Sequence, residues 1–258
     1  MKTVEDHVSS PDGLRTLAID IGGTGIKASV LDFAGKMLVE RVRIATPYPC
    51  DPEILLRSIT TLAASLPSFD RISVGFPGVV RTGKIITAPH FGTKSWAGYP
   101  LEAEISRCLG KPARLLNDAE VQGMGIIAGH GLEVVLTLGT GVGSAIFREG
   151  ELMPHLELAH HPIHKGKTYN DYVGAEASQM LGQKKWNRHV LNMIEIVDSL
   201  LHYDSLYIGG GNAAHIIAEL PGNVQIASND AGITGGIHLW DPVRPDKRRK
   251  PRAMAARL

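Results

Sequence analysis

One short sequence phrase occurs twice in this chain of 258 residues. Residues 17–30 read LAIDIGGTGIKASV, and residues 134–146 read VVLTLGTGVGSAI. Each copy is a run of strand-forming residues, a Gly-Thr-Gly triplet and a second such run, which is the pattern of a β-hairpin. The second triplet follows the first by 116 residues (139 − 23). This repetition predicts two halves of related design that face each other.

Both turns are candidate phosphate-binding sites, because backbone N–H groups with little side-chain bulk around them can hold phosphate oxygens. An acidic residue, Asp20, precedes only the first turn, and Lys27 follows it, where it can face either phosphate or solvent. The predicted phosphate-binding residues are Gly22, Gly23, Thr24, Gly25 and Lys27 in the first copy, and Gly139, Thr140 and Gly141 in the second.

The residues that follow the first turn do not fit either of two other glycine-rich motifs, the dinucleotide-binding fingerprint and the Walker motif. Gly23-x-Gly25-x-x-Ala28, with Glu40 further on, matches the loose dinucleotide fingerprint, but that fingerprint needs a helix directly after its glycines. Residues 26–30 are rich in β-branched side chains and favour a strand instead. A Walker motif is excluded because no Gly-Lys-Ser/Thr follows.

Composition narrows the class of protein. The chain is 43% hydrophobic and 21% charged with a net charge of +1, so we expect no nucleic-acid or membrane partner. Cys50 and Cys108 have no metal or redox spacing, which indicates two reduced thiols. The polar N-terminal residues lack the apolar core of a signal peptide, and no apolar run approaches the ~20 residues of a membrane span. We therefore expect a cytoplasmic protein.

Periodicity and turn residues predict alternating strands and helices. The segment 79–98 is expected to be rich in loops, and the basic, Pro-rich tail from 241 to be disordered. The predicted strands are 16–21, 26–33, 37–45, 71–76, 113–116 and 205–208, with a hairpin over 133–147, and the predicted helices are 52–66, 100–109, 119–128 and 185–202. The predicted domain organisation is a polar leader (1–15), an N-terminal lobe (16–116), a C-terminal lobe (117–240) and the tail (241–258).

Four motifs in this order resemble a known family. They are a strand with Asp20 and a hairpin, a strand with Asn117-Asp118 and a helix, a strand with Gly139-Thr140-Gly141 and a hairpin, and Gly209-Gly210-Gly211-Asn212. The combination, over roughly residues 16–238, resembles the sugar kinases of the actin-like ATPase superfamily, more narrowly the ROK (repressor, ORF, kinase) family and its polyphosphate glucokinases. The resemblance implies an α/β fold of two similar actin-like (ribonuclease H-like) lobes, with mixed β-sheets flanked by helices and a cleft between them.

The resemblance also implies roles for particular residues. Asp118 would be the general base that accepts the proton of a sugar hydroxyl, although an Asp at this point can also be a plain helix cap. Asp20 would hold Mg²⁺, through water. The implied sugar-binding residues are His90, Asn117, Asp118, Glu157 and His160, and the implied nucleotide-binding residues are Gly209, Gly210, Gly211 and Asn212, which could also form a plain strand-to-helix turn.

Two positions depart from the family pattern. The family usually has Glu-x-Gly-His where this chain has Glu157-Leu158-Ala159-His160, and relatives commonly carry asparagine where His90 stands. Both departures affect the sugar that would be contacted and how strongly it would bind.

A histidine-rich segment looks like a metal site at first sight. Many ROK proteins hold zinc here through a histidine and a run of cysteines, but no cysteine follows in this chain, so no zinc is expected. The polyphosphate-using relatives lack these cysteines too. The histidines, which lie beside Glu157, are His155, His160, His161 and His164.

The hypothesis that combines these features is a hexose kinase that uses polyphosphate, ATP or both as donor with Mg²⁺, acts on glucose or a related hexose, and forms a homodimer as relatives suggest. The alternative is a non-catalytic ROK-type sugar sensor. A ROK-type repressor would need a helix-turn-helix ahead of the first hairpin, where only about fifteen residues are expected to precede it.

Overall fold

The computed structural model describes residues 13–241, so most of the predicted leader and the tail beyond Asp241 lie outside the described residues. The strands, numbered in chain order, are β1 (Thr16–Ile21), β2 (Gly25–Leu31), β3 (Val42–Ala45), β4 (Arg71–Phe76), β5 (Val80–Arg81), β6 (Lys84–Ile85), β7 (Ala113–Asn117), β8 (Leu132–Leu138), β9 (Val142–Arg148), β10 (Glu151–Leu152), β11 (Pro162–His164), β12 (Lys167–Thr168), β13 (Ser205–Gly209) and β14 (Val224–Ile226).

The α-helices are α1 (Pro52–Ala64), α2 (Thr93–Trp96), α3 (Leu101–Leu109), α4 (Asp118–Met124), α5 (Tyr169–Val173), α6 (Ala175–Leu181), α7 (Gln183–Leu201) and α8 (Ala231–Thr234). Two 3₁₀ helices span Gly211–His215 and Gly235–Trp240.

The internal repeat extends to whole sheets. The first sheet has the order β3-β2-β1-β4-β7 and the second the order β10-β9-β8-β13-β14. In each sheet the first three strands are antiparallel neighbours and the last three run parallel. The prediction of two similar lobes with mixed sheets is therefore confirmed.

Each sheet buries one face under helices of its own half. In the first half, α1 and α3 supply Leu55, Ile59 and Ile105 to a core with the apolar residues of β1, β2 and β4. In the second half, α5 and α7 supply Tyr169 and Trp186, both fully buried, against β8 and β13. The alternation of apolar residues along each strand decides which side chains enter these cores.

Helix α4 lies between the opposite faces of the two sheets. It packs against β4 and β7 of the first sheet and against β8 and β9 of the second, and it also contacts α8 and the 3₁₀ helix Gly235–Trp240. The last two elements pack against β1 although they follow the second sheet in sequence. The carboxyl ends of the central parallel strands of both sheets are thereby directed toward one cleft, where ligands of open α/β sheets bind.

The sequence predictions differ from the structure at three segments. The third strand is Val42–Ala45 and not 37–45. The stretch 79–98 contains the β5–β6 hairpin and α2 around the fully buried Trp96. Helix α4 ends at Met124, before Gly125, and not at 128. The division between lobes at 116/117 stays a prediction. Within residues 13–241, no helix has both the length and the apolar character to span a membrane.

Candidate active site

A cleft of about 400 Å³ lies between the two sheets. It is lined by turns and side chains from both halves of the chain, so the fold brings together residues that are far apart in sequence. The predicted site residues on its walls are Asp20, Gly22, Gly23, Thr24, Gly25, Lys27, His90, Asn117, Asp118, Thr140, Gly141, Glu157, His160, Gly210 and Gly211. Gly139, Gly209 and Asn212 are not among the residues that line the cleft.

The two Gly-Thr-Gly turns have similar internal hydrogen bonds and face each other. The N–H of Gly22 donates to the carbonyl of Gly25 at 3.0 Å, and the N–H of Gly139 donates to the carbonyl of Gly141 at 2.9 Å. A Cβ added to Gly23 would lie 3.4 Å from the Oγ1 of Thr140. A side chain at Gly23 would therefore extend toward Thr140 of the second turn.

The third glycine turn supports the second. Nδ2 of Asn212 donates to the carbonyl of Gly139 at 3.0 Å, so Asn212 holds the second turn from behind and does not enter the cleft. Gly210 has a φ of +84°, and a Cβ there would overlap the backbone of Leu138. A residue with a side chain is therefore excluded at this position by both conformation and space.

Asn117 is the N-cap of α4. Its Oδ1 accepts from the N–H groups of Ala119 at 2.9 Å and Glu120 at 3.3 Å, and its Nδ2 donates to the carbonyl of Gly78 at 3.1 Å. Both ends of this predicted sugar-binding amide are thus engaged with the backbone. The alternative role of Asp118 as the helix cap is wrong, since Asp118 is the first residue of the helix and Asn117 caps it.

The carboxyl group of Asp118 has a raised pKa. Burial, then the negative charge of Asp20 and, more weakly, that of Glu157, together raise the pKa of its carboxyl group to about 7, while the N–H of Ala119, which donates to Oδ1 at 2.9 Å, opposes the shift. A carboxylate with a pKa near neutrality can accept and return a proton at physiological pH. The position and the pKa together fit a general base.

Asp20 and Lys27 form an ion pair on the wall of the cleft. Nζ of Lys27 lies 3.0 Å from Oδ2 of Asp20. Among residues 13–241, no three His, Cys, Asp or Glu side chains are grouped so as to hold a metal ion. One carboxylate that lines the cleft beside the first Gly-Thr-Gly turn nevertheless fits Mg²⁺, which keeps much of its water and takes further oxygens from substrate phosphates.

The predicted sugar-binding side chains meet on one side of Asp118. His90 lies beside the first turn, since a Cβ added to Gly23 would be 3.6 Å from its ring. Burial, then the charge of His160, lowers the pKa of His90, and Glu157 opposes this effect. His160 itself is exposed on the cleft wall.

Sequence reasoning missed several residues of this site. Arg41 and Arg43 line the cleft from the edge of the first sheet, where Nη2 of Arg43 donates to the carbonyl of Thr24 at 3.0 Å. Asn170 holds the second turn, since its Oδ1 accepts from the N–H of Val142 at 2.7 Å. The cross-strand pairing of Arg43 with Lys27 was the one signal that could have indicated the extra cations.

Comparison with known proteins agrees with this geometry. Residues 16–157 match the ROK family. The polyphosphate glucokinase of Mycobacterium tuberculosis (strain ATCC 25618 / H37Rv) is 30% identical over 203 residues, which are 75% of this chain and 76% of that protein.

Solved structures agree as well. The inorganic polyphosphate/ATP-glucomannokinase of Arthrobacter sp. strain KM superposes with a TM-score of 0.80 at 29% identity, over 88% of this chain and 98% of that one. A ROK family glucokinase from Streptomyces griseus, in complex with glucose and AMPPNP, shares the fold with a TM-score of 0.72 at 19% identity, over 87% and 98% of the two chains. The chain therefore belongs to the ROK family, among its sugar kinases.

Proposed function

We propose that the chain is a hexose kinase that transfers a phosphoryl group from polyphosphate, ATP or both to the 6-hydroxyl of glucose or a related hexose. The observation that carries this proposal is the place of Asp118, at the start of α4 in the cleft, with a pKa of about 7. The similarity to polyphosphate glucokinase and to polyphosphate/ATP-glucomannokinase supports the choice of sugar and donor.

In this mechanism Asp118 accepts the proton of the sugar hydroxyl as the oxygen attacks the terminal phosphorus of the donor in line. The hydroxyl oxygen forms the new P–O bond, the bond to the rest of the donor breaks, and the proton stays on the Asp118 carboxyl until the product leaves. The backbone N–H groups of the two Gly-Thr-Gly turns stabilise the phosphate charge. Mg²⁺, held by Asp20 through water, would neutralise part of the same charge.

The sugar is held on the side of the cleft formed by His90, Glu157 and His160. Carboxylate and imidazole groups that converge on one space suit the several hydroxyls of a hexose. Asn117 contributes by fixing the start of α4, because both ends of its amide are engaged with the backbone.

The donor is held on the side of the glycine turns. Lys27, Arg41 and Arg43 lie on this wall. Lys27 pairs with Asp20 and Arg41 with Asp230, so Arg43 adds positive charge that attracts a polyanion such as polyphosphate. Gly210 and Gly211 line the same cleft and leave room for a nucleotide. Both donors are therefore included in the proposal.

We also propose that the enzyme works in the cytoplasm as a homodimer. The free thiols of Cys50 and Cys108 support a reducing compartment, and the dimer is what the resemblance to the ROK family implies. Light scattering of the purified chain measures the dimer directly.

The test is a matrix of donors and sugars with Mg²⁺, measured for the wild type, Asp118→Asn and Asp198→Asn. Asp198 is exposed on α7, so its variant controls for the loss of a carboxylate outside the cleft. Loss of a general base lowers kcat by about 10²–10⁴-fold. If Asp118→Asn turns over as fast as the wild type, the mechanism is overturned. If the wild type binds a hexose in calorimetry but shows no turnover with any donor, the protein is a sensor.

A further inference from the structure

A buried carboxylate on α4 connects the start of this helix to the loop before β11. Oε2 of Glu120 accepts from the backbone N–H of Asn117 at 3.2 Å, which completes a capping box with the Asn117 side chain. Oε1 of the same carboxylate lies 2.9 Å from Nδ1 of His155. The two ends of Glu120 thus join the helix cap beside Asp118 to a histidine 35 residues further along the chain.

The other nitrogen of His155 faces the sugar-binding side of the cleft. Its Nε2 is shielded from solvent, has no hydrogen bond within normal limits, and lies 3.5 Å from Oε2 of Glu157. Exposure of the side chains increases along this series, from 6% for Glu120 through 15% for His155 to 34% for Glu157. His155 therefore stands between one buried carboxylate and one at the cleft.

A histidine between two carboxylates is held in its doubly protonated form. The hydrogen bond that His155 donates to Glu120, then the contact of its Nε2 with Glu157, raise the pKa of His155 to about 9 against the opposing effect of burial. The further ionisable groups around the bridge are Asp118 and His90, both of which respond to the charge of Glu157.

We propose that His155 is a positioning residue, which bridges Glu120 and Glu157 as an imidazolium and thereby fixes the Glu157 carboxylate relative to the helix that carries Asp118. This role rests on the proposed hexose kinase function. It goes beyond the sequence interpretation, in which His155 was one of four histidines resembling a metal cluster.

Two consequences of removing His155 distinguish a positioning role from a role in packing alone. Without the imidazolium, Glu157 loses its orientation, so the KM for the sugar rises while the KM for the donor stays unchanged. The uncompensated charge of Glu157 also acts more strongly on Asp118 and raises its pKa. As the pH is lowered, the variant should therefore lose activity at a higher pH than the wild type does.

The experiment compares His155→Asn with His189→Asn. His189 is also partly buried and hydrogen-bonded, to the carbonyl of Tyr172 at 3.0 Å, but it stacks on the ring of Tyr172 and is not among the residues that line the cleft. We expect His155→Asn to raise the KM for glucose about tenfold, with the KM for the donor within about twofold of the wild type. The control variant should leave both KM values unchanged, and a uniform effect on both by His155→Asn overturns the proposal.

A second measurement does not depend on turnover. Side-chain ¹⁵N NMR of His155 should show both nitrogens protonated at pH 8 in the wild type. In Glu120→Gln the imidazole should lose a proton at a lower pH, because the carboxylate that holds the charge has become neutral. A neutral imidazole at pH 8 in the wild type overturns the bridge.

The two proposals fail in different ways. If the wild type neither binds nor phosphorylates any hexose, the proposed function fails, whatever the NMR result. If the wild type is active and His155→Asn leaves the sugar KM and the acid limb of the pH profile unchanged, the positioning role alone is wrong.

Discussion

Asp20 and Lys27 are direct cross-strand partners in the β1–β2 hairpin, and their charged atoms lie 3.0 Å apart. Both side chains are partly exposed in the cleft, where the Asp20 carboxylate also raises the pKa of Asp118. The first hairpin thus carries a carboxylate, Asp20, that raises the pKa of Asp118, and an ammonium group, Lys27, that partly neutralises the charge of Asp20. The second hairpin has neither, because Thr137 and Gly143 form the corresponding cross-strand pair, one step before the last pair at the turn.

Asp20→Asn should lower the pKa of Asp118. The variant removes a negative charge that disfavours ionisation of Asp118, and it leaves the Lys27 ammonium without a partner, which acts in the same direction. We expect a fall of about one unit, measured by ¹³C NMR titration of the Asp118 carboxyl carbon. Asp32→Asn, at the far end of the first sheet, is the control. An unchanged or raised pKa would show that Asp20 does not act on Asp118.

Asp118→Asn should stabilise the protein at high pH while it removes activity. The folded state holds the Asp118 proton up to about pH 7, whereas in the unfolded chain the proton leaves near 3.8. The free energy of unfolding contributed by this group therefore falls as pH rises from about 4 to 7. We expect the variant to gain about 1–3 kcal/mol at pH 8, measured by urea unfolding, and nothing at pH 4. Equal gains at both pH values would contradict the assignment of this pKa.

Arg43→Ala should weaken binding of the donor and not of the sugar. The guanidinium lies at the first Gly-Thr-Gly turn, where it donates to the carbonyl of Thr24. We expect the KM for polyphosphate to rise about three- to tenfold at low salt and the difference to shrink as salt screens the charge. Arg57→Ala, an exposed position on α1, is the control. A rise in the sugar KM of the same size would place Arg43 elsewhere in the mechanism.

The sequence predicted the parts of this fold that depend on local patterns. Alternating apolar residues and the Gly-Thr-Gly triplets located both hairpins, and helical spacing located the long helix α7 within two residues. The buried Trp96, in a segment expected to be mainly loop, is held by a hydrogen bond to the carbonyl of Cys50, 46 residues away. Such a contact leaves no mark on local periodicity.

In the candidate site too, the sequence predicted the residues that belong to local motifs and missed the contacts between distant residues. Motif order identified Asp20, Asp118 and the glycine turns, all of which lie at the ends of strands. The link between Glu120 and His155 was not predicted, because the two residues meet only through the packing of α4 against the second sheet. The sequence could not decide between Asn117 and Asp118 as the helix cap, because both residue types are good caps and the choice depends on the residue at which the helix begins.

Gly210 and Gly211 are neighbours that should respond very differently to alanine. Gly210 has a left-handed φ, and an added Cβ would overlap the Leu138 backbone, whereas a Cβ at Gly211 would meet nothing within 4 Å. Since the backbone of Leu138 cannot move aside cheaply, we expect Gly210→Ala to cost about 2–4 kcal/mol of unfolding free energy. Gly211→Ala should change it by less than about 0.5 kcal/mol. Similar urea midpoints for the two variants would contradict this conformation of the turn.

Trp240→Ala should test whether the last described helical turn stabilises the first sheet. The indole N–H donates to the Oγ of Ser73 at 2.9 Å, and the guanidinium groups of Arg114 and Arg71 lie 4.5 Å and 5.0 Å from the centre of the ring. Loss of a partly buried indole and two cation–π contacts should cost about 2–4 kcal/mol. Trp240→Phe keeps an aromatic face and loses the hydrogen bond to Ser73, so it should cost only about 1 kcal/mol. Urea unfolding measures both values. An alanine variant as stable as the wild type would mean that residues 235–240 dock on the first sheet without stabilising it.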